Sequence, residues 1–309
     1  MSVLTVRHVT TYRYRQPVAF GEHRMMLRPR EGHDQRLLDT SLVIAPVPSQ
    51  LGWAHDVFGN SVSVARFRGR ATELRFESIS RLDRSPTNAL EFGVEDHAAT
   101  YPFTYSMEEM PDLARSIERH YPDPERRVDQ WAARFVSGKG RTGTIAMLVA
   151  MTYAIKDELT YIARHERGIQ SAWETLALGS GTCRDFAVLM MEAARSLGLA
   201  ARFVSGYIYS PIGSQTGYTG GGSTHAWARI YLPGAGWVEF DPTNGLIGNR
   251  DLIRVAVTRD PRQALPLSGT YTGFPADSLG MNVEVSVTET GLAPGAAGGQ
   301  AVGRAAGPC

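Results

Sequence analysis

Only two cysteines occur in this 309-residue chain, and one of them, Cys183, stands behind the glycines of GSGTCRDFAVLMMEAARSLG (179–198). Phe186, Leu189, Met190, Ala193, Ala194 and Leu197 recur at the spacing of one helix face, and Cys183 lies one turn before Phe186 on that face. Thr182 followed three residues later by Asp185 has the form of a capping box with a shorter acid. It predicts a helix start at Thr182 and puts Cys183 in the first turn. A thiol there feels the positive end of the helix dipole and unpaired backbone N–H groups. Both favour the thiolate, and the same N–H groups can bind an oxyanion. Gly179 and Gly181 imply that a substrate can come close to this backbone. A cysteine can equally fill space as a small hydrophobe, so its role depends on a base further along the chain.

A candidate base is His225, which opens HAWARIYLPGAGWVEFDPTNG (225–245). Its strand alternates His225, Trp227, Arg229 and Tyr231 with Ala226, Ala228, Ile230 and Leu232, so the small and aliphatic face packs inward and His225 points to the other side. The chain turns at PGAG and returns as WVEFD. A turn of three or five residues pairs positions 227 and 241 and puts Asp241 on the face of His225; two or four residues would separate them. The parity stays open in the sequence. A strand histidine and a turn-forming aspartate are each commonplace, but thiolate chemistry needs a nucleophile, a base and a group that orients the base.

The segments GTCRDFAVLMMEAARSLGLAARFVSGY (181–207) and THAWARIYLPGAGWVEFDPTNG (224–245) resemble the core of the transglutaminase-like superfamily, a branch of the papain-like cysteine enzymes. The likeness lies in G-x-C-x-D-x-A, in A-R-F-V-S-G-Y on the next strand, in H-A-W and in D-P-T. TYRYRQPVAFGEHRMMLRPR (11–30) resembles the β-rich domain that precedes this core in bacterial members. The resemblance implies that Cys183 is the nucleophile, His225 the general base and acid, and Asp241 the orienting carboxylate, with a covalent thioester intermediate and no required cofactor. Some animal transglutaminases need calcium, but the chain has no D-x-D-x-D-G loop, so no metal is expected. Gln170 and Trp173 in GIQSAWETL (168–176), with Thr182 and Trp227, are candidates for a second oxyanion donor or for the substrate cleft. Trp173 also suits core packing.

These residues need a scaffold. Residues 2–15, 36–46, 60–66 and 71–82 read as strands of an antiparallel, β-sandwich-like domain that ends near 84–88, within a unit of residues 1–88. Helices are predicted over SMEEMPDLARSIERHY (106–121), over DPERRVDQWAARFV with Asp123 as N-cap and Pro124 as first helical residue, and over 142–158. Strands at 201–209, 225–232, 236–241, 251–257 and 282–289 complete an α+β, papain-like core over 89–291. The Gly-rich SPIGSQTGYTGGGST (210–224) before His225 could act as a lid or as a plain connection. The Gly/Ala/Pro-rich 292–309 is expected to be a disordered tail, with Cys309 an incidental thiol at its end.

Composition narrows the partners. With 32 basic against 31 acidic side chains, no whole-chain field would gather nucleic acid or anionic lipid. No apolar run approaches the ~18 residues of a membrane span, and the start MSVLTVRHVTTYRYRQ has no apolar h-region, so a cytoplasmic location is expected. The expected partner is a protein or peptide substrate, with the oligomeric state open. The expected activity is thiol-dependent acyl transfer on amides, hydrolytic by preference because no amine site is evident. Amine transfer and a non-catalytic peptide-binding module remain as alternatives.

Overall fold

The computed structural model describes residues 2–85, 93–138, 140–164, 168–210 and 218–290. The N-terminal strands are β1 (Ser2–Met25), β2 (Gln35–Ala45), β3 (Gln50–His55), β4 (Ser61–Arg66) and β5 (Arg70–Arg84), all antiparallel and ordered β2-β5-β1-β4-β3. β1 is longer than expected because Pro17 does not end it. The ladder to β5 breaks register between Arg13 and Val18, so the proline sits where no ladder N–H is required. Before the break Leu4 and Val6 face one cluster; after it Val18, Phe20 and Met25 face another. β3 was absent from the sequence reading. It is mostly exposed and pairs only with β4, so it lacks the alternation that marks a half-buried strand.

The middle of the chain runs through β6 (Thr100–Tyr101), α1 (Met110–Ile117), α2 (Arg127–Ala133), β7 (Thr142–Gly143), α3 (Thr144–Glu158), β8 (Thr160–Tyr161), α4 (Ala172–Leu178), β9 (Ser180–Gly181) and α5 (Cys183–Ser196). The helix expected from Pro124 starts later, at Arg127, because Arg126 turns left-handed with φ 53°. Asp123 still receives the first amides, from Arg127 (2.9 Å) and Val128 (3.0 Å). α4 went unpredicted although its capping box, Ser171 with Glu174, is legible in the sequence. α5 is buried nearly all round, with its polar Glu192 and Arg195 paired to each other at 2.9 Å.

A five-stranded antiparallel sheet packs against α5: β10 (Ala201–Ile208), β11 (His225–Leu232), β12 (Gly236–Asp241), β13 (Leu246–Ile247) and β14 (Leu252–Thr258), ordered β13-β12-β11-β10-β14. Two later strands do not stay with this sheet. β15 (Leu267–Thr272) and β16 (Ser278–Thr290) leave the core and pair with β1, making a seven-stranded N-terminal sheet. Strand pairing between distant segments has no local signature, so a linear boundary near residue 88 could not reveal it.

The two sheets meet in an apolar cluster that joins Leu4, Val6 and Val285 to Tyr207, Ile253 and Val255. Beside it runs a buried polar seam. Arg254 donates twice to Asp34, at 2.6 Å each, and once to Glu239 at 3.0 Å, while Asn249 also donates to Asp34. Every charge in that seam is met by one of opposite sign, as burial requires. The expected tail 292–309, with Cys309, lies outside the described residues.

Candidate active site

Thr182 caps α5 as the sequence predicts. Its hydroxyl accepts the Asp185 amide, and the Asp185 carboxylate accepts the Thr182 N–H and hydroxyl, both at 2.9 Å. Asp185 does more than cap: fully buried, it also accepts the Gln170 amide at 2.7 Å and the Arg164 guanidinium at 3.1 Å. The start of α5 is thereby tied to the chain before α4. Cys183 is the first residue of the helix, and it shares a packed cluster with Ala226, the chain neighbour of His225.

The hairpin settles the parity question. Leu232 pairs with Gly236, so the turn is the three residues 233–235, and Ala228 pairs with Phe240. His225 and Asp241 therefore fall on one face, and His225 Nε2 lies 2.7 Å from Asp241 Oδ2, both side chains buried. A carboxylate only accepts, so Nε2 carries the proton. Asp241 is itself held by the Thr243 amide (2.9 Å) and by Asn244 Nδ2 (2.9 Å). Asn244 was quoted in the DPTNG segment but not singled out. Its side chain also clasps Thr219, accepting its N–H at 2.9 Å and donating to its carbonyl at 3.2 Å. Gly220, next in that clasped segment, lies against the imidazole: a Cβ there would come 2.8 Å from His225 Nδ1. The preceding 211–217 part of the Gly-rich segment, the candidate lid, lies outside the described residues.

The other candidates separate. With its side-chain amide turned so that Nε2 meets the Ser180 carbonyl (3.0 Å) and Thr175 (3.3 Å) and Oε1 meets Arg164 (3.3 Å), Gln170 satisfies every neighbour and ties down β9. Trp173 is half-buried against the main core, as packing would have it. Trp227 is fully buried and stacks on His225 with ring centroids 5.9 Å apart, which steadies the imidazole. Gly181 has a reason other than substrate approach: a Cβ would meet Asp185 at 2.9 Å and Gln170 at 3.1 Å. Of the four, Thr182 lines the cleft beside the start of α5.

That space is a cleft of about 720 Å³ between the N-terminal sheet and the core, within the range of ligand pockets. Thr182, Arg184 and Thr224 line it, so it reaches the chain neighbours of both Cys183 and His225. Its far wall is the N-terminal sheet: Tyr12, Tyr14 and His23 from β1, Tyr271 from β15 and Met281 from β16. Among the described residues its charged side chains are Arg164, Arg184 and Arg262, with no carboxylate among them. The lining histidines stay neutral near pH 7, since burial pushes His8 down to about 4 and lowers His23. The β1 wall is separated in sequence from the rest of the lining by the gap between His23 and Arg164, which no local motif spans.

Comparison with known proteins accords with this geometry. Residues 4–83 match the bacterial transglutaminase-like N-terminal region, and residues 129–242, which include Cys183, His225 and Asp241, match the transglutaminase-like superfamily core. The chain is 28% identical over 284 residues to an uncharacterized protein of Mycobacterium leprae, covering 92% of this chain and 98% of that one. It is 29% identical over 294 residues to an uncharacterized protein of Mycobacterium tuberculosis, covering 91% of each. A Cytophaga hutchinsonii crystal structure described as a "Putative Cysteine Protease" has the same fold, with a TM-score of 0.69, 21% identity and coverage of 95% and 93% of the two chains. With both matched regions in the same order as the sheet and core described above, the chain belongs to the transglutaminase-like superfamily, in the bacterial form whose core follows a β-rich N-terminal region.

Proposed function

We propose that the protein is a cysteine hydrolase of amide bonds in proteins or peptides, with Cys183 as nucleophile, His225 as base and acid, and Asp241 as the group that orients the imidazole. The observation that carries this reading is the buried 2.7 Å contact of His225 Nε2 with Asp241. With the Nε2 proton held by the carboxylate, the lone pair of the ring sits on Nδ1, the nitrogen able to take the thiol proton. The Cys183 sulfur then attacks the amide carbonyl, and the oxyanion that forms lies at the N-terminus of α5, where backbone N–H groups and the dipole favour negative charge. His225 returns the proton to the departing amine, the C–N bond breaks and a thioester remains. His225 next takes a proton from water, the hydroxide adds to the thioester carbonyl, and the carboxylic acid leaves with the thiol restored.

Water is favoured over an amine as the second nucleophile because the charged side chains that line the cleft among the described residues are arginines. An incoming ammonium would meet guanidinium groups of its own sign there. Intact-mass analysis during turnover of an amide substrate tests the reading. It should show a transient acyl adduct on Cys183, and hydrolysed product even when millimolar alkyl amine is present. An adduct resolved mainly to the amine product would turn the assignment to a transferase. No adduct and no turnover would turn it to a peptide-binding module.

A further inference from the structure

We propose that the cleft selects substrates with a carboxylate close to the bond that is broken, and that Arg184 is the residue that recognises it. This rests on the acyl-transfer reading above and names its substrate class. The chain as a whole is almost neutral, with a formal net charge of +1, yet among the described residues the permanently charged side chains that line the cleft are all arginines. Such a one-sign lining in a walled groove concentrates anions and repels cations.

The three arginines are not equivalent. Arg164 pairs with Asp185 at 3.1 Å and Arg262 with Asp260 at 2.8 Å, so each has its charge met within the protein. Arg184 has no ion-pair partner among the described residues and is half-buried. It is also the second residue of α5, directly after Cys183, where a cation faces the positive end of the helix dipole. A helix normally carries an acidic or neutral residue there, as Asp185 illustrates one position later. The local cost of Arg184 is repaid if its guanidinium grips an anion, and its place beside the nucleophile puts that anion within a residue or two of the scissile amide. A carboxylate matches the planar fork of an arginine. The opposite wall offers Tyr12, Tyr14 and Tyr271, surfaces for apolar or aromatic neighbours of the acidic group.

The carboxylate can belong to a Glu or Asp side chain or to a chain terminus, and one peptide set separates the two. A single amidated sequence carries Glu, Gln or Lys in turn at each of three positions on either side of the scissile bond, and a further Gln series ends in a carboxylic acid. For the wild-type protein at low salt, kcat/KM for Glu should exceed that for Gln by about tenfold to a hundredfold at one position, the range of a charge-assisted hydrogen bond. Lys should fall below Gln. The Glu advantage should shrink in high salt, reach about one in Arg184→Gln, and reverse in favour of Lys in Arg184→Glu. An Arg184-dependent advantage seen only with the acid-terminated series assigns the carboxylate to the chain end. A Glu-to-Gln ratio near one at every position, with no advantage of the acid-terminated series, overturns the proposal, as does any preference that survives in Arg184→Gln. If the wild type turns over none of the peptides, calorimetric titration of Cys183→Ala with the same set decides separately. An acidic preference lost in Cys183→Ala/Arg184→Gln keeps the site and removes the acyl-transfer reading, whereas equal affinities remove the site.

Discussion

Two buried carboxylates, Asp34 just before β2 and Asp241 at the end of β12, each pair with a basic side chain, yet the partners differ in kind. Asp34 meets Arg254 through two 2.6 Å bonds, and the guanidinium stays charged at any ordinary pH. Burial pushes the Asp34 carboxyl up, but the Arg254 hydrogen bonds and charge outweigh it and leave its pKa at about 2. Asp241 instead meets an imidazole, which donates its Nε2 proton to the carboxylate and keeps a lone pair on Nδ1. The two pairs differ in the basic partner: a guanidinium has no acceptor, whereas this imidazole retains one. Burial, distance and carboxylate geometry are much alike in both.

The comparison breaks most sharply under substitution. Cys183→Ala and His225→Ala should each lower amide turnover by on the order of 10⁴-fold or more, Asp241→Ala should keep a small remnant, and double variants should be little worse than the worst single one. All three should remain folded by thermal unfolding. A folded Cys183→Ala with wild-type turnover would end the enzyme reading. In the clamp the pattern inverts. Asp34→Ala leaves Arg254 buried with only Glu239 opposite it, and should lose about 3 kcal/mol of stability in denaturant titration while turnover per folded molecule is kept. Loss of turnover without loss of stability would show that the seam is part of the site.

Acid sharpens the same contrast. The unfolded chain protonates His8 near 6.5, but the folded protein does so only near 4, because burial disfavours the imidazolium. Stability therefore falls as pH drops from about 6.5 to 4, by about 3 kcal/mol for a shift of this size. Asp34 adds its part lower down: its contribution is present above the unfolded carboxyl range and is lost, by about 2 kcal/mol, as pH falls from about 4 to 2. Denaturant midpoints measured from pH 8 to 3 should fall in those two stages, and His8→Gln should remove the first. The smallest effect expected is that of Gly220→Ala. Its φ of +92° and a Cβ 2.8 Å from His225 Nδ1 should cost about 1–2 kcal/mol, seen as roughly a tenfold drop in kcat. An unchanged kcat would mean that Nδ1 is not the nitrogen that serves the thiol.

The nucleophile helix was legible because its signals are local: the Thr182–Asp185 box and the apolar stripe from Phe186 lie within four turns of one helix. The His225–Asp241 pair was half legible, since alternation assigns faces but only the turn length sets whether they agree. Asn244 stood in plain view in DPTNG, where an Asn-Gly pair reads as turn chemistry and hides its bond to Asp241. Gln170 was singled out for its place upstream of the thiol, and only the folded chain brings its side chain beside Ser180, Thr175 and Arg164.

By itself the sequence determined the α+β class, the position of Cys183 in a helix first turn and the pairing partners within the β11–β12 hairpin to within one choice of parity, because capping, helical period and strand alternation act over fewer than about twenty residues. Tertiary structure alone decided that the last two described strands complete the first sheet, that Arg254 locks that sheet to the core through Asp34, and that Arg164, Arg184 and Arg262 meet along one cleft. Those features join segments as far apart as Tyr14 and Tyr271, which meet with ring centroids 4.8 Å apart. Contacts at such separation are chosen by the burial and charge balance of the whole chain and leave no pattern in any one stretch of it.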